Sequence, residues 1–254
     1  MIGRVVTLKA PPVRIVSLVP SQTELLFDLG LEGEVAGITK FCVHPESWFR
    51  SKPRIGGTKD VRYDRVAALH PDLIIANKEE NVEAQVLELE KLCPVWVSDI
   101  QTLEDSLQMI REVGTICNRA ERALEIAAQI TTGFAELHQS AQGKRVAYGI
   151  WRDPWMWAGG DTFIHDILLR CGWTNALEVE PRYPAVSLEE LTAYNPELVL
   201  LSSEPYPFKA KHIEEVKAVL PGAEVILVDG EMFSWYGSRL LHAPAYLERL
   251  LQTV

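Results

Sequence analysis

Short runs of apolar residues alternate along this chain with longer segments in which apolar residues recur every three or four positions. The first pattern predicts buried strands and the second predicts amphipathic helices. Strands that alternate with helices favour mostly parallel sheets covered on both faces, so the sequence predicts an α/β fold. The predicted strands read RIVSLV, LIIA, VWVSD, RVAYGIW, ELVLL and EVILVD.

One pattern occurs twice, at an offset of 125 residues. Residues 64–76 read DRVAALHPDLIIA and residues 189–201 read EELTAYNPELVLL. In both copies an acidic residue opens a short amphipathic helix, a proline stops it, and an apolar run follows as a buried strand. His70 corresponds to Asn195 in this register, which indicates a turn residue at the end of a helix. The repeat predicts two similar α/β lobes with a ligand-binding cleft between them.

One helical pattern between the two lobes is longer than the others. Apolar residues fall at steps of three and four from Ala120 to Leu137, Asn118 is the expected N-cap, and Gly143 lies just beyond the expected end. Such a helix would reach about 30 to 35 Å, although an ordinary long helix packed within one lobe is the alternative. The expected segments are an N-terminal lobe at residues 1–117, a connecting backbone helix at 118–142 and a C-terminal lobe at 143–254.

Composition narrows the possible partners. The chain of 254 residues is 47% apolar, and none of its apolar runs approaches the roughly 18 residues that a membrane span requires. With 35 acidic and 25 basic residues, its net charge of -10 argues against binding to nucleic acid or to a membrane surface. The N-terminal sequence lacks the pattern of an export signal, so we expect either a cytoplasmic protein or a processed form of an exported one. The four cysteines are too scattered to predict disulfides.

The loops that follow the predicted strands are rich in aromatic residues. In open parallel sheets ligands bind beyond the carboxyl ends of the strands, so these loops are the expected site. Flat side chains supply contact area with little rotamer entropy to lose, which suits a large, planar, partly apolar ligand, whereas for any single aromatic a packing role stays open. These residues are Trp151, Trp155, Trp157, Tyr183, Tyr206, Phe208, Trp235 and Tyr236 in the second lobe, and Phe41 and Trp48, beside His44, in the first.

Signatures of catalysis are scarce. The sequence has no GxSxG, GxxxxGK, GxGxxG or HExxH motif, so the common hydrolase, nucleotide-binding and zinc-protease patterns are absent. The strongest chemical candidate is the string FCVHP, in which Cys42 and His44 are two residues apart. Glu79, Glu80 or Asp153 could add oxygen ligands to a metal held there.

Several strings together resemble a known family. RIVSLVPSQTELLFDLG, RVAALHPDLIIA, a helix ending in RCG and YPAVSLEELTAYNPELVLL are similar to the helical-backbone substrate-binding proteins of bacterial ABC importers, and within them to the cobalamin-binding branch. Iron-siderophore and haem binders share this architecture. The resemblance covers residues 14–251 and implies two α/β lobes joined by one long helix. It also implies a ligand held between the lobes, no intrinsic cofactor, and delivery to a membrane permease and its ATPase.

The resemblance also places individual residues of this chain in the cleft. Several of them differ in type from the cleft residues of the cobalamin binder. Tyr183 falls where the cobalamin binder has a tryptophan, His44 where it has a tyrosine, and Trp155 near the place of a phenylalanine. Thr58 and Asn77 fall where tryptophans line the cobalamin pocket. The predicted ligand-binding residues are Phe41, His44, Thr58, Asn77, Trp151, Trp155, Trp157, Tyr183, Tyr206 and Trp235.

The resulting hypothesis is a monomeric substrate-binding protein for a metal chelate or tetrapyrrole-like ligand (cobalamin, haem or ferric siderophore), without covalent chemistry of its own. His44 is the candidate metal ligand. Asp64 and Glu189 are equivalent in the repeat, and the resemblance implies that acids at these positions pair with arginines of the permease. The resemblance implies a periplasmic or other extracytoplasmic location. The alternatives are a cytoplasmic tetrapyrrole- or metal-handling enzyme or metallochaperone with a chelatase-like two-lobed fold, and a scaffold or sensor without a permease.

Overall fold

The computed structural model describes residues 5, 7–138 and 143–254. It has an α/β fold with two mostly parallel sheets, which confirms the predicted fold class. None of the described helices combines the length and the apolar character needed to cross a membrane. Residue contacts divide the chain into two compact units. The lobe boundaries expected at residues 117 and 143 stay a prediction. The first unit comprises Met1–Ile100, Glu104–Ile130 and Tyr236–Arg239, and the second comprises Gln101–Leu103, Thr131–Trp235 and Leu240–Val254.

The sheet of the first unit has four parallel strands in the order β2-β1-β3-β4. The two central strands are wholly buried, as expected for strands covered on both faces. The strands are β1 Ile15–Ser17, β2 Val35–Ile38, β3 Leu73–Asn77 and β4 Val95–Ser98. The helices that follow or connect them are α1 Pro20–Asp28, α2 Glu46–Ser51, α3 Tyr63–Ala68, α4 Glu83–Leu89, α5 Leu103–Ile116 and α6 Ala120–Ala135.

The sheet of the second unit has the order β6-β5-β8-β9, with the short β7 also pairing with β5. Among the described strands of this sheet, β6 alone runs antiparallel to its neighbour. The strands are β5 Arg145–Trp151, β6 Met156–Trp157, β7 Thr174–Asn175, β8 Leu198–Ser202 and β9 Glu224–Val228. The helices are α7 Phe163–Arg170, α8 Leu188–Leu191, α9 Ala210–Val219, α10 Glu231–Ser234 and α11 Ala243–Leu251, with 3₁₀ turns at Thr192–Tyr194 and Ser238–Leu241.

The internal repeat is preserved in the structure. Strands β3 and β8 begin and end 125 residues apart, and every residue of both is buried. The first strand of each unit is tied to the turn before the repeated proline in the same way. Arg14 Nε donates to Leu69 O (2.7 Å), and Arg145 Nη2 donates to Tyr194 O (3.0 Å). In both copies the acid that follows the proline accepts a hydrogen bond from the backbone N–H of that arginine.

The long helix is shorter than predicted. Asn118 has a φ of 55° and lies in the turn between α5 and α6, so it is not the N-cap. Helix α6 has 16 residues, about 24 Å at 1.5 Å per residue. It ends at Ala135, and the chain then turns to Glu248 of α11, whose carboxylate binds the N–H and Nδ1 of His138 (3.1 and 3.2 Å). Residues 139–142 of the predicted helix lie outside the described residues. The division between the two units falls within α6.

Candidate ligand-binding site

The most exposed aromatic ring among the predicted site residues of the second unit lies where β5 ends. Trp151 is 40% exposed, and its ring stands edge to face against Tyr206 at a centroid distance of 5.7 Å. Tyr206 lies in the loop after β8, the strand next to β5 in the sheet, and is half-buried. Adjacent parallel strands therefore bring these two predicted residues together, and their contact with a ligand stays a prediction.

A second aromatic group packs behind this pair. The ring of Trp155 stacks on Trp157 (5.7 Å, 12° between planes) and on Phe208 (5.5 Å, 16°). Trp157 has no exposed surface, and its indole N–H donates to Val186 O (2.9 Å). Trp157 therefore belongs to the core and supports Trp155, and a ligand contact by Trp157 stays a prediction.

The loop after β8 is held by a buried histidine. His212 Nδ1 accepts a hydrogen bond from the Lys209 N–H (2.8 Å), and its Nε2 lies 3.3 Å from the Tyr206 hydroxyl. With Nδ1 as acceptor, the neutral ring carries its proton on Nε2 and donates it to Tyr206. Burial is the largest cause of the lowered pKa of His212. The ring therefore supports the Tyr206 loop as a neutral group.

Trp235 is buried, and its indole N–H points at an acid that sequence reasoning missed. The Nε1–H of Trp235 donates to Glu204 Oε1 (2.7 Å), and Ser234 Oγ donates to the same oxygen (2.8 Å). Burial, the largest effect, raises the pKa of Glu204. The repeat could have found this acid, because Glu204 lies 125 residues after Glu79, which was a candidate oxygen ligand.

Tyr183 is positioned by an irregular ladder of backbone hydrogen bonds along β6 and the chain after it. Gly159 N donates to Arg182 O and Gly160 N donates to Glu180 O, both at 2.8 Å. Arg182 has a φ of 56°, and its guanidinium lies 5.9 Å from the Tyr183 ring centroid. Tyr183 is half-buried. The predicted residue is thus held by backbone contacts that the sequence pattern did not reveal.

The predicted residues of the first unit fall into exposed and buried groups. Phe41 is 49% exposed, with Lys40 Nζ 4.9 Å from its ring centroid. Burial, the largest effect, raises the pKa of the Glu24 carboxyl. His44 is partly buried and lies close enough to Glu24 to oppose this rise. Glu24 also forms an ion pair with Arg239 (2.7 Å).

Thr58 and Asn77 are buried, so neither is presented as an exposed contact. The Asn77 amide donates to Ser98 O and Oγ (3.2 and 3.0 Å), and its Oδ1 accepts from the N–H groups of Glu79 and Glu80 (2.8 and 3.0 Å). These four bonds use the full capacity of an amide side chain. Asn77 therefore shapes the loop after β3.

The FCVHP segment has limited metal-binding chemistry. Cys42 is buried between the hydroxyls of Thr23 and Thr39 (3.1 and 3.2 Å), and burial raises the pKa of its thiol, which disfavours the thiolate that binds metals. No group of three or more His, Cys, Asp or Glu side chains within the described residues is arranged to hold a metal ion. A metal contact by His44 stays a prediction. All four cysteines are free.

Comparison with known proteins identifies the family. The sequence model of the periplasmic binding proteins matches residues 15–222. The chain therefore belongs to the periplasmic binding protein family, which confirms the resemblance seen in the sequence.

Three similar proteins illustrate the range of this family. A vitamin B12-binding protein of Salmonella typhimurium is 26% identical over 95% of this chain and 91% of its own. A substrate-binding lipoprotein of an ABC transporter in Bacillus subtilis is 25% identical over 98% and 82%. The crystal structure of a periplasmic heme-binding protein from Pseudomonas aeruginosa has a TM-score of 0.79 and 21% identity, over 94% of this chain and 92% of that one.

Proposed function

We propose that this protein is the substrate-binding component of an ABC-type importer and that it binds a metal chelate or tetrapyrrole-like ligand, such as a corrinoid, haem or a ferric siderophore. Family membership supports the class of protein. The similar proteins described above, a vitamin B12-binding protein and a heme-binding protein, support the class of ligand. The observation that carries the proposal is the aromatic cluster beyond β5 and β8.

In this cluster Trp151 and Tyr206 are the primary ligand contacts. An exposed indole beside a half-buried phenol offers a planar apolar surface with one polar atom, as aromatic anchors of binding sites do. Trp155 and Phe208 support the pair from the stack behind it. Phe41, His44 and Tyr183 stay predicted further contacts of the same ligand.

The proposal extends to partners and location. The protein delivers its ligand to a membrane permease from an extracytoplasmic compartment, as a monomer and without chemistry on the ligand. Asp64 and Glu189 are the docking acids: both are exposed and lie in the first turn of the equivalent helices α3 and α8. The family match supports this function and gives no support to a cytoplasmic enzyme or metallochaperone.

The test is a titration of intrinsic tryptophan fluorescence with cyanocobalamin, haemin and a ferric siderophore. We expect stoichiometric quenching by one ligand class, and about 1 to 3 kcal/mol weaker binding in Trp151→Ala. Leu169→Ala, which removes a similarly exposed apolar side chain from α7, is the matched control and should bind normally. A spectral change of the bound chelate in His44→Ala would identify a metal contact. Absence of quenching by every ligand would refute the proposed ligand class.

A further inference from the structure

The carboxylate of Glu204 has a fixed position at the ligand end of the second sheet. Its backbone N–H donates to Ser202 Oγ at the end of β8 (3.2 Å), and Oε1 accepts from Ser234 and Trp235. Gly230 makes this approach possible, because a Cβ there would lie 2.8 Å from Glu204 Cγ. The end of β8 therefore fixes the backbone of Glu204, and Ser234 and Trp235 fix the orientation of its carboxylate.

In the part of the chain that the structure describes, the charge of this carboxylate is not compensated by a cation. Among the described residues, Glu204 forms no ion pair with a lysine, arginine or histidine. Arg152, in the loop after β5, is already bound to Glu215 (2.8 Å) and Asp153 (2.7 Å). Asp229 and Glu231 act on Glu204 with charge of the same sign.

A half-buried carboxylate that faces only neutral donors and other acids costs folding free energy. Both of its hydrogen bonds end on Oε1, so Oε2 is the oxygen left for a further donor. Groups that carry such a cost are characteristic of binding sites, where the ligand supplies the missing partner.

We infer that Glu204 is a ligand-recognition residue and that its ligand presents an N–H donor, an amide or ammonium group, to this part of the aromatic cluster. The inference rests on the proposed function, because it takes the cluster formed by Trp151 and Tyr206 as the binding surface. It narrows the ligand class. A corrinoid whose edge carries carboxamides meets the requirement, whereas a porphyrin with free carboxylates places like charge against Glu204.

Arg182, in the same unit, supports the opposite hypothesis, that the ligand carries a carboxylate. Its guanidinium lies near the Tyr183 ring and is the group that would anchor a ligand carboxylate. The two residues therefore predict opposite ligand preferences, and paired variants distinguish them.

The test compares binding of cyanocobalamin and haemin to the wild type, Glu204→Gln, Arg182→Gln and Glu214→Gln. Glu214 is exposed on α9, so its variant removes the same charge without touching the cluster. Glutamine keeps the shape of Glu204 but turns one oxygen into a donor, so we expect about 10- to 100-fold weaker cyanocobalamin binding in Glu204→Gln alone. We expect haemin to bind the wild type more weakly than cyanocobalamin does and to gain affinity in Glu204→Gln.

Each outcome has a definite meaning. Unchanged cyanocobalamin affinity in a folded Glu204→Gln, checked by circular dichroism, overturns the role of Glu204 and leaves the transport function standing. Tight haemin binding that is lost in Arg182→Gln also overturns the role of Glu204 and leaves the transport function standing. A wild type that binds neither ligand nor a ferric siderophore overturns both proposals. If Glu204→Gln does not fold, Glu204→Asp shortens the reach and keeps the charge, and it must weaken cyanocobalamin binding for the inference to hold.

Discussion

His70 and Asn195 lie 125 residues apart and adopt the same left-handed backbone conformation, with φ of 46° and 48°. Each follows a short helical segment and precedes a proline. A left-handed residue costs roughly 1 to 2 kcal/mol for most side chains and little for glycine. The turn that ends the repeated helix is therefore fixed by backbone geometry, and the exposed His70 side chain is not needed as a ligand.

Substitution of His70 tests this interpretation. We expect His70→Gly to keep or slightly raise the free energy of unfolding, because glycine accepts a positive φ. His70→Val should lower it by about 1 to 2 kcal/mol, because a β-branched side chain clashes in this conformation. Urea denaturation measures both values, and the same pair of substitutions at Asn195 is the matched control. Equal effects of Gly and Val would contradict a backbone origin.

Much of the fold could be predicted from local patterns. The buried strands β3 and β8 follow directly from uninterrupted apolar runs between a proline and a polar turn. The end of α6 could not be predicted, because the helical spacing of apolar residues continues to Leu137, two residues beyond the observed end at Ala135. Apolar periodicity describes one helix and carries no information about distant contacts, such as the hydrogen bond from the His138 backbone N–H to Glu248.

The candidate site, like the fold, could be predicted only as far as local sequence patterns determine it. Sequence reasoning found the aromatic loops, because strand ends and aromatic residues are local features. It could not tell Trp155 from Trp157, because the antiparallel pairing of β6 with β5 decides which ring enters the core. It missed Glu204, because the one available signal was its register with Glu79 in the repeat, and neither its hydrogen bonds nor its burial can be read from the sequence.

Gly160 should be required to hold the segment that carries Tyr183. A Cβ at residue 160 would lie 1.9 Å from the carbonyl oxygen of Glu178, a backbone atom that cannot rotate away. We expect Gly160→Ala to lower the free energy of unfolding by about 1 to 3 kcal/mol and to weaken ligand binding as Tyr183 shifts. Gly222→Ala, where a Cβ meets nothing within 4 Å, is the control and should leave both quantities almost unchanged. A normal Gly160→Ala protein would show that the ladder is adaptable.

His212 should make stability depend on pH. Its pKa in the folded protein is lowered below 6.5, mainly by burial, with Lys211 and Arg152 acting in the same direction and Glu215 opposing them. The unfolded chain therefore binds a proton at higher pH than the folded chain does, so stability is fully present above pH 6.5 and is lost as pH falls through the lowered pKa.

His212→Gln should flatten this part of the curve, because glutamine has no proton to gain. Urea denaturation between pH 7.5 and pH 5 measures the effect, and His242→Gln, at an exposed position, serves as control. A parallel loss of stability in wild type and His212→Gln would assign the pH dependence to other groups.

Asp64 and Glu189 should control docking to a permease without affecting the ligand. Both side chains are exposed in the first turns of equivalent helices, where a carboxylate contributes roughly 0.3 to 1 kcal/mol to helix stability. Their contribution to the fold is therefore small. Close charge pairs across an interface can be worth more than about 1.5 kcal/mol, so reversal of both acids should abolish docking.

The experiment is crosslinking of the Asp64→Lys, Glu189→Lys double variant to membranes of the host, with ligand affinity measured in parallel. Glu83→Lys with Glu214→Lys is the matched control, because it reverses one exposed acid in each unit, and the first of these also lies in the first turn of a helix. We expect the control to dock and the Asp64, Glu189 variant to lose docking while both keep wild-type ligand affinity. Docking that survives the reversal of Asp64 and Glu189 would move the permease contact to another surface, whereas loss in both variants would indicate attraction by net charge alone.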